Sequence, residues 1–195
     1  MSLIERIDEA RARWNVLEHP FYARWERGEL TQGELSFYAG EYRHSVVALA
    51  DAAAAGGDPE HAAEEAAHVG LWDDLAGALG APLDREPTPE TAKCAEAWRP
   101  DESLEARAVL YAVESSQPEI ARTKLAGLVD HYGFTPGSKG TEYFELHAER
   151  DQDHAAASAE VLRQAPTEDA DRLVAAATAA LEGNWRLLDG VESRA

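Results

Sequence analysis

The 195-residue sequence predicts an all-α protein. Three observations lead to that fold class. Alanine, leucine, glutamate and arginine dominate and recur at helical spacing. No segment shows the alternating, β-branched pattern of a strand. Glycine and proline fall where they divide the chain into a bundle of about seven to eight helices.

The first helix runs from about Leu3 to Glu18 and stops before the His19-Pro20 step, because a proline disfavours helical geometry at the residue before it. A short helical piece follows and ends at Gly28. Thr31 and Glu34 form a capping-box pattern that opens a long helix, which reaches the Ala52 to Ala55 run and ends at Gly56-Gly57. Asp58-Pro59 then supplies an N-cap with proline in the first turn, and that helix extends to Gly80. A proline-rich loop covers 81–89. A short helix spans about Glu90 to Trp98, and Asp101 caps another that reaches Glu114 or Ser115. Pro118 interrupts that run, and a further helix continues to Tyr132, stopped by Gly133. Residues 135–140 form a turn, and two last helices cover about Thr141 to Gln164 and Glu168 to Leu188, separated at Pro166.

The length fits one domain over residues 1–195, large enough to bury a sizeable core. The apolar runs are far shorter than the ~20 residues of a membrane-spanning helix, so no membrane association is expected. The opening MSLIERIDEARARW has no basic stretch, apolar block or cleavage site, which reads as a cytoplasmic chain. Cys94 is the single cysteine, so one chain can build neither an internal disulfide nor a thiolate metal cluster. With 37 acidic against 18 basic residues, the net charge of -19 repels nucleic acid and anionic lipid, and neither is expected as a partner.

Three polar sets stand out inside apolar stripes. At ~100° per residue, Tyr143, Phe144, His147, Asp151, His154, Val161 and Leu162 share one face of the helix around His147. Burying two imidazoles and a carboxylate is costly unless they are satisfied, by a bound cation or by a His-Asp hydrogen-bond network. On the helix opened by Pro59, His68 shares a stripe with Leu71, Trp72, Leu75 and Leu79, with Glu64 and Glu65 close to it. The Glu65 to His68 spacing is the one that bundle di-metal proteins use to aim a carboxylate and an imidazole inward, and Glu64 is the alternative carboxylate. His61, two turns earlier on that face, reads as a surface or supporting residue. Glu114, just before a proline break, is the third set. Together these segments offer three histidines and three carboxylates for two metals, and oxygen and imidazole donors without thiolate favour iron or manganese. Open positions at such a pair would bind and reduce dioxygen. Glu41 and His44 form a second ExxH, read as substrate binding or core hydrogen bonding.

The blocks HPFYARWERGELTQGELSFYAGEY, EEAAHVGLWDDLAGALG, YAVESSQPEIARTKLAGLVDHYG and YFELHAERDQDHA, in that order over roughly residues 17–162, resemble the TenA, PqqC and heme-oxygenase-like superfamily. Within it, the chain is similar to the heme-oxygenase-like di-metal oxidases and oxygenases, and above all to the branch of the Chlamydia protein associating with death domains and its bacterial relatives, which look like para-aminobenzoate synthases. The resemblance implies a heme-oxygenase-like helical bundle. It also implies six metal ligands, Glu65, His68, Glu114, His147, Asp151 and His154, holding two Fe ions or Fe plus Mn.

Dioxygen is the implied co-substrate and an external reductant is required. The branch implies a self-consuming synthesis of para-aminobenzoate for folate biosynthesis, in which a tyrosine of the chain supplies the ring and a lysine the nitrogen. Tyr22, Tyr38, Tyr143 and Lys124 fall at the positions that matter. The alternatives are a related di-metal oxidase acting on an external small amine or fatty acid, and a metal-free helical binding protein. The resemblance further implies a homodimer. TenA-type hydrolases use a cysteine nucleophile that this chain lacks after Cys94, which itself is expected on a short peripheral helix.

Overall fold

The computed structural model describes residues 1–194, and the side chains of Arg150 and Asp151 lie outside the described set. Among the described residues there are nine α-helices and no strand: α1 (Leu3–Arg13), α2 (Pro20–Glu26), α3 (Gln32–Ala55), α4 (Pro59–Ala78), α5 (Pro89–Ala97), α6 (Ser103–Glu114), α7 (Gln117–His131), α8 (Glu142–Arg163) and α9 (Ala170–Glu192). The count of nine is slightly above the seven to eight expected; the brief helices opened by Pro20 and Pro89 stand where short helical pieces were expected.

Local chemistry explains where the boundaries hold and where they move. Both halves of the Thr31/Glu34 capping box are formed at the start of α3. Asp58 accepts from the backbone N–H groups of Glu60 and His61 at the start of α4. The first helix ends at Arg13 and does not reach Glu18. Asn15 diverts the chain there, its side chain accepting from the Leu17 N–H to open a 3-10 turn over Val16–Glu18. Glu102, not Asp101, caps α6 by accepting from Glu105 N–H. The last helix begins later than expected, after a 3-10 turn over Thr167–Asp169, and runs on to Glu192.

Two apolar clusters fill the bundle. The larger holds Phe21, Tyr22, Trp25, Tyr38, Tyr42 and Trp72 from α2, α3 and α4, together with Tyr143 and Phe144 from α8. The smaller joins α1, α6, α8 and α9 around Ile7, Ala108, Leu162 and Leu173. One close approach sets how α7 meets α2. A Cβ on Gly127 would lie 2.5 Å from the Trp25 ring, and the Trp25 indole N–H donates to the Lys124 carbonyl at 3.1 Å. The same device works at Gly183 of α9, where a Cβ would lie 3.1 Å from Cys94 Cα. Cys94 is therefore 0% exposed, packed between α3 and α9 with its Sγ 3.4 Å from Ser45 Oγ, which corrects the peripheral placement expected of it. No helix among the described residues is long and apolar enough to cross a membrane.

Candidate metal centre

Helix α4 places His61, Glu65 and His68 on one buried face, α6 brings Glu114 at its C-terminal end, and α8 contributes His147 and His154. Their ligand atoms converge on two points. His61, Glu65, Glu114 and His154 form one group and Glu65, His68 and His147 the other, with the atoms of each group within 4.8 Å of one another. Glu65 is common to both.

The contacts inside these groups are not those of an ordinary polar network. His61 Nε2 lies 2.9 Å from Glu114 Oε1, and His68 Nδ1 lies 2.9 Å from Glu65 Oε1. Yet His61 Nε2, His68 Nδ1, both Glu114 oxygens, His147 Nε2 and His154 Nδ1 are buried without an aligned hydrogen bond. The atoms are close because they aim at common points, not at each other. Native interiors leave few such groups, and six in one place are what a bound cation would satisfy.

His147 shows how the ligand set is oriented. Its Nδ1 lies 2.6 Å from the Tyr143 carbonyl, which accepts from Nδ1–H and turns the Nε2 lone pair to the cluster. Burial pushes this imidazole down to about 4, so it stays neutral and able to ligate. Burial lowers His61 and His154 as well. Burial, with the charge of Glu65 beside it, raises Glu114 well above the usual carboxylate range. Glu65 goes the other way: burial raises it, but the imidazoles of His68, His147 and His61 outweigh burial and lower it overall. A bound cation would favour the ionised form of both carboxylates, and oxygen and imidazole donors of this kind suit iron or manganese. The residues present fit such an ion pair.

Of the six ligands expected, Glu65, His68, Glu114, His147 and His154 are brought together, and Asp151 lies outside the described residues. Glu64 is in neither group and sits 3.0 Å from His154 Nε2, whereas Glu65 stands in both groups. His61 corrects the sequence reading, for it is only 4% exposed and stands inside the first group. Its signal was the shared stripe with Glu65 and His68 at four- and seven-residue spacing. Glu41 and His44 have other work, with Glu41 Oε2 accepting from Thr88 N–H and His44 Nε2 at 2.9 Å from the Arg85 carbonyl, where they fasten the 81–89 loop.

An aromatic chamber adjoins the metal groups. The Tyr143 ring stacks on His147 at 4.0 Å, Trp72 meets Tyr143 at 4.8 Å, and Tyr42 meets Trp72 at 5.0 Å. Further in, the hydroxyls of Tyr22 and Tyr38 are 3.1 Å apart. Lys124 reaches into this chamber from α7: its Nζ donates to the Tyr38 hydroxyl and lies 4.7 Å from the Tyr22 ring centre and 4.6 Å from that of Tyr42. At 1% exposure the side chain does not snorkel to water. Burial lowers its amine well below the ordinary lysine range and raises the phenols of Tyr22, Tyr38 and Tyr42, so neutral forms of all four are favoured.

Comparison with known proteins gives the family and the fold. The model of a family described as iron-containing redox enzymes matches residues 20–185. A 4-aminobenzoate synthase of Nitrosomonas europaea is 30% identical, the match covering 96% of this chain and 89% of that protein. A 4-aminobenzoate synthase of Chlamydia trachomatis is 28% identical over 97% of this chain and 91% of that protein. A solved domain with a heme oxygenase-like fold from Shewanella denitrificans superposes with a TM-score of 0.76 at 20% identity, covering 100% of this chain and 93% of that one, which establishes the fold.

Proposed function

Because this chain belongs to the family of iron-containing redox enzymes, we propose that it is a di-metal oxidoreductase that makes 4-aminobenzoate from its own side chains. In this reading Glu65, His68, Glu114, His147, Asp151 and His154, joined by His61, hold two Fe ions or Fe plus Mn. When bound, the metals supply one-electron chemistry with dioxygen, drawing electrons from an external reductant.

The protein's own contribution is positioning and protection. Glu65 ties the two groups together, and the Tyr143 carbonyl fixes the His147 tautomer. The Tyr143 ring, stacked on His147, is the wall between the metal groups and the chamber that holds Tyr22, Tyr38 and Lys124. Tyr22 or Tyr38 supplies the aromatic ring and Lys124 the nitrogen. Burial keeps that amine unprotonated with its lone pair available, and shuts out bulk water that would quench a reactive aromatic.

The observation that carries the proposal is Lys124 itself. A lysine buried among tyrosines and bonded to a phenol, with no carboxylate paired to it among the described residues, is costly for stability and suited to delivering an amine. The relatives named 4-aminobenzoate synthases support the same product. The test is to express the protein with ring-13C tyrosine and ε-15N lysine, load iron with or without manganese, add reductant and air, and analyse the small molecules by mass spectrometry. Product carrying both labels, at no more than one per chain and lost in Lys124→Arg, is expected. Repeated turnover of an added amine or fatty acid, with the chain unchanged in mass, would replace this reading by an external-substrate oxidase. We further take residues 1–195 as one catalytic unit, cytoplasmic and homodimeric, and light scattering checks the assembly.

A further inference from the structure

Beside the first metal group the surface opens into a cleft of about 450 Å³ lined by Asp58, Glu60, His61, Glu64, Asp153 and His154. Four of the six are carboxylates, and among the described residues that line it there is no lysine or arginine. His61 forms its buried side, 4% exposed and with Nε2 lacking an aligned hydrogen-bond partner. His154 lies over it, the two rings 4.1 Å apart, and is held from outside by Glu64. By contrast, Glu65, His68 and His147 of the second group are all buried, and none of them lines the cleft.

We propose that this cleft is the route by which divalent metal ions enter, and that the group reached first hands an ion inward to the second. The inference rests on the metal-centre reading above and adds to it a direction and an order of loading. A hydrated divalent cation is drawn to a concave, single-sign surface, where field focusing raises its local concentration. The Glu64–His154 pair is the gate. An arriving cation meets the Glu64 carboxylate first and draws it from His154 Nε2, while His154 already stands in the first group with its Nδ1 buried and without an aligned hydrogen bond. Glu65, common to both groups, is the carboxylate across which an ion passes to His68 and His147. Neither Glu60 nor Asp153 is needed for the final coordination, since both are exposed and in neither group.

The experiment follows Co(II) binding to metal-free protein by stopped-flow absorbance, with tryptophan fluorescence as a second signal. Wild type, Glu60→Gln/Asp153→Asn and Glu64→Gln are compared at low and high salt. Wild type is expected to bind two ions in two phases. Both variants should still bind two, with the first phase slowed roughly tenfold or more at low salt and the difference shrinking at high salt. Equal rates in all three proteins, at an unchanged stoichiometry of two, would overturn the route while leaving the metal centre intact. A Glu64→Gln protein that holds only one ion would make Glu64 a ligand and refute its role as a gate. Wild type that binds no Co(II) would instead sink the metal-centre reading beneath it.

Discussion

Replacing Lys124 by methionine removes the amine while keeping nearly the same length and volume, which separates its chemistry from its packing. The side chain is 1% exposed, and burial alone lowers its amine well below the ordinary lysine value. The folded state therefore releases a proton that the unfolded chain keeps at any pH between the folded value and the unfolded one, about 10.4. In that window the unfolded state binds one more proton, so stability rises with pH by about 1.4 kcal/mol per unit. Lowering the pH from 10 should thus cost the wild type stability that Lys124→Met does not lose. The slope ends where the pH falls to the folded pKa. The variant also gives up the bond to the Tyr38 hydroxyl, a net ~1 kcal/mol, although Tyr38 keeps its contact with Tyr22. Urea unfolding of the metal-free proteins at half-unit steps from pH 7.5 to 10 is the assay. Stability curves that run parallel over the whole range would show that Lys124 stays charged when folded, and the amine-donor argument would fail with it.

Four further outcomes follow from the same geometry. Gly127→Ala should cost about 1–3 kcal/mol by thermal unfolding, because its Cβ would lie 2.5 Å from the Trp25 ring, and α2 and α7 must shift together. Tyr38→Phe strips the partner from both the Lys124 amine and the Tyr22 hydroxyl and should destabilise by about 1–3 kcal/mol, with product formation sharply reduced. Metal added at about 100 times its Kd should stabilise the folded protein by ~2.7 kcal/mol for each site filled, and chelator should reverse the shift in Tm. By elemental analysis, His68→Ala and His61→Ala should each retain about half the metal of wild type, while His147→Ala/Asp151→Ala loses more, since each single variant weakens one group.

Much of this was legible in the sequence because it is local. The Thr31 and Asp58 caps lie within a turn of what they satisfy, and the inward faces of α4 and α8 follow from helical period alone. What escaped depends on other segments. His61 looked like a spare histidine because the Glu114 oxygen 2.9 Å away comes from α6, more than fifty residues on. Cys94 looked peripheral because a nine-residue helix gives no hint that Gly183 admits it to the core. Asn15 ended α1 early through a side-chain bond to Leu17, a competition that period-counting does not register. Lys124 was singled out by the resemblance, but only the assembled chamber shows which phenol it meets.

The depth at which Tyr22 and Tyr38 lie, 1% and 0% exposed, bears on the life of the molecule after it has acted. If either ring leaves as product, the core loses a large aromatic at its centre, a truncation that typically costs about 3–5 kcal/mol. That is a large share of the ~5–15 kcal/mol that holds a typical domain folded. A used chain would then be distinguishable from a fresh one by its fragility, exposed to proteolysis by the same event that released its product. On the proposed reaction, burial of the sacrificed ring would make the protein its own single-use marker, and pulse-chase measurement of chain half-life with and without iron would display it.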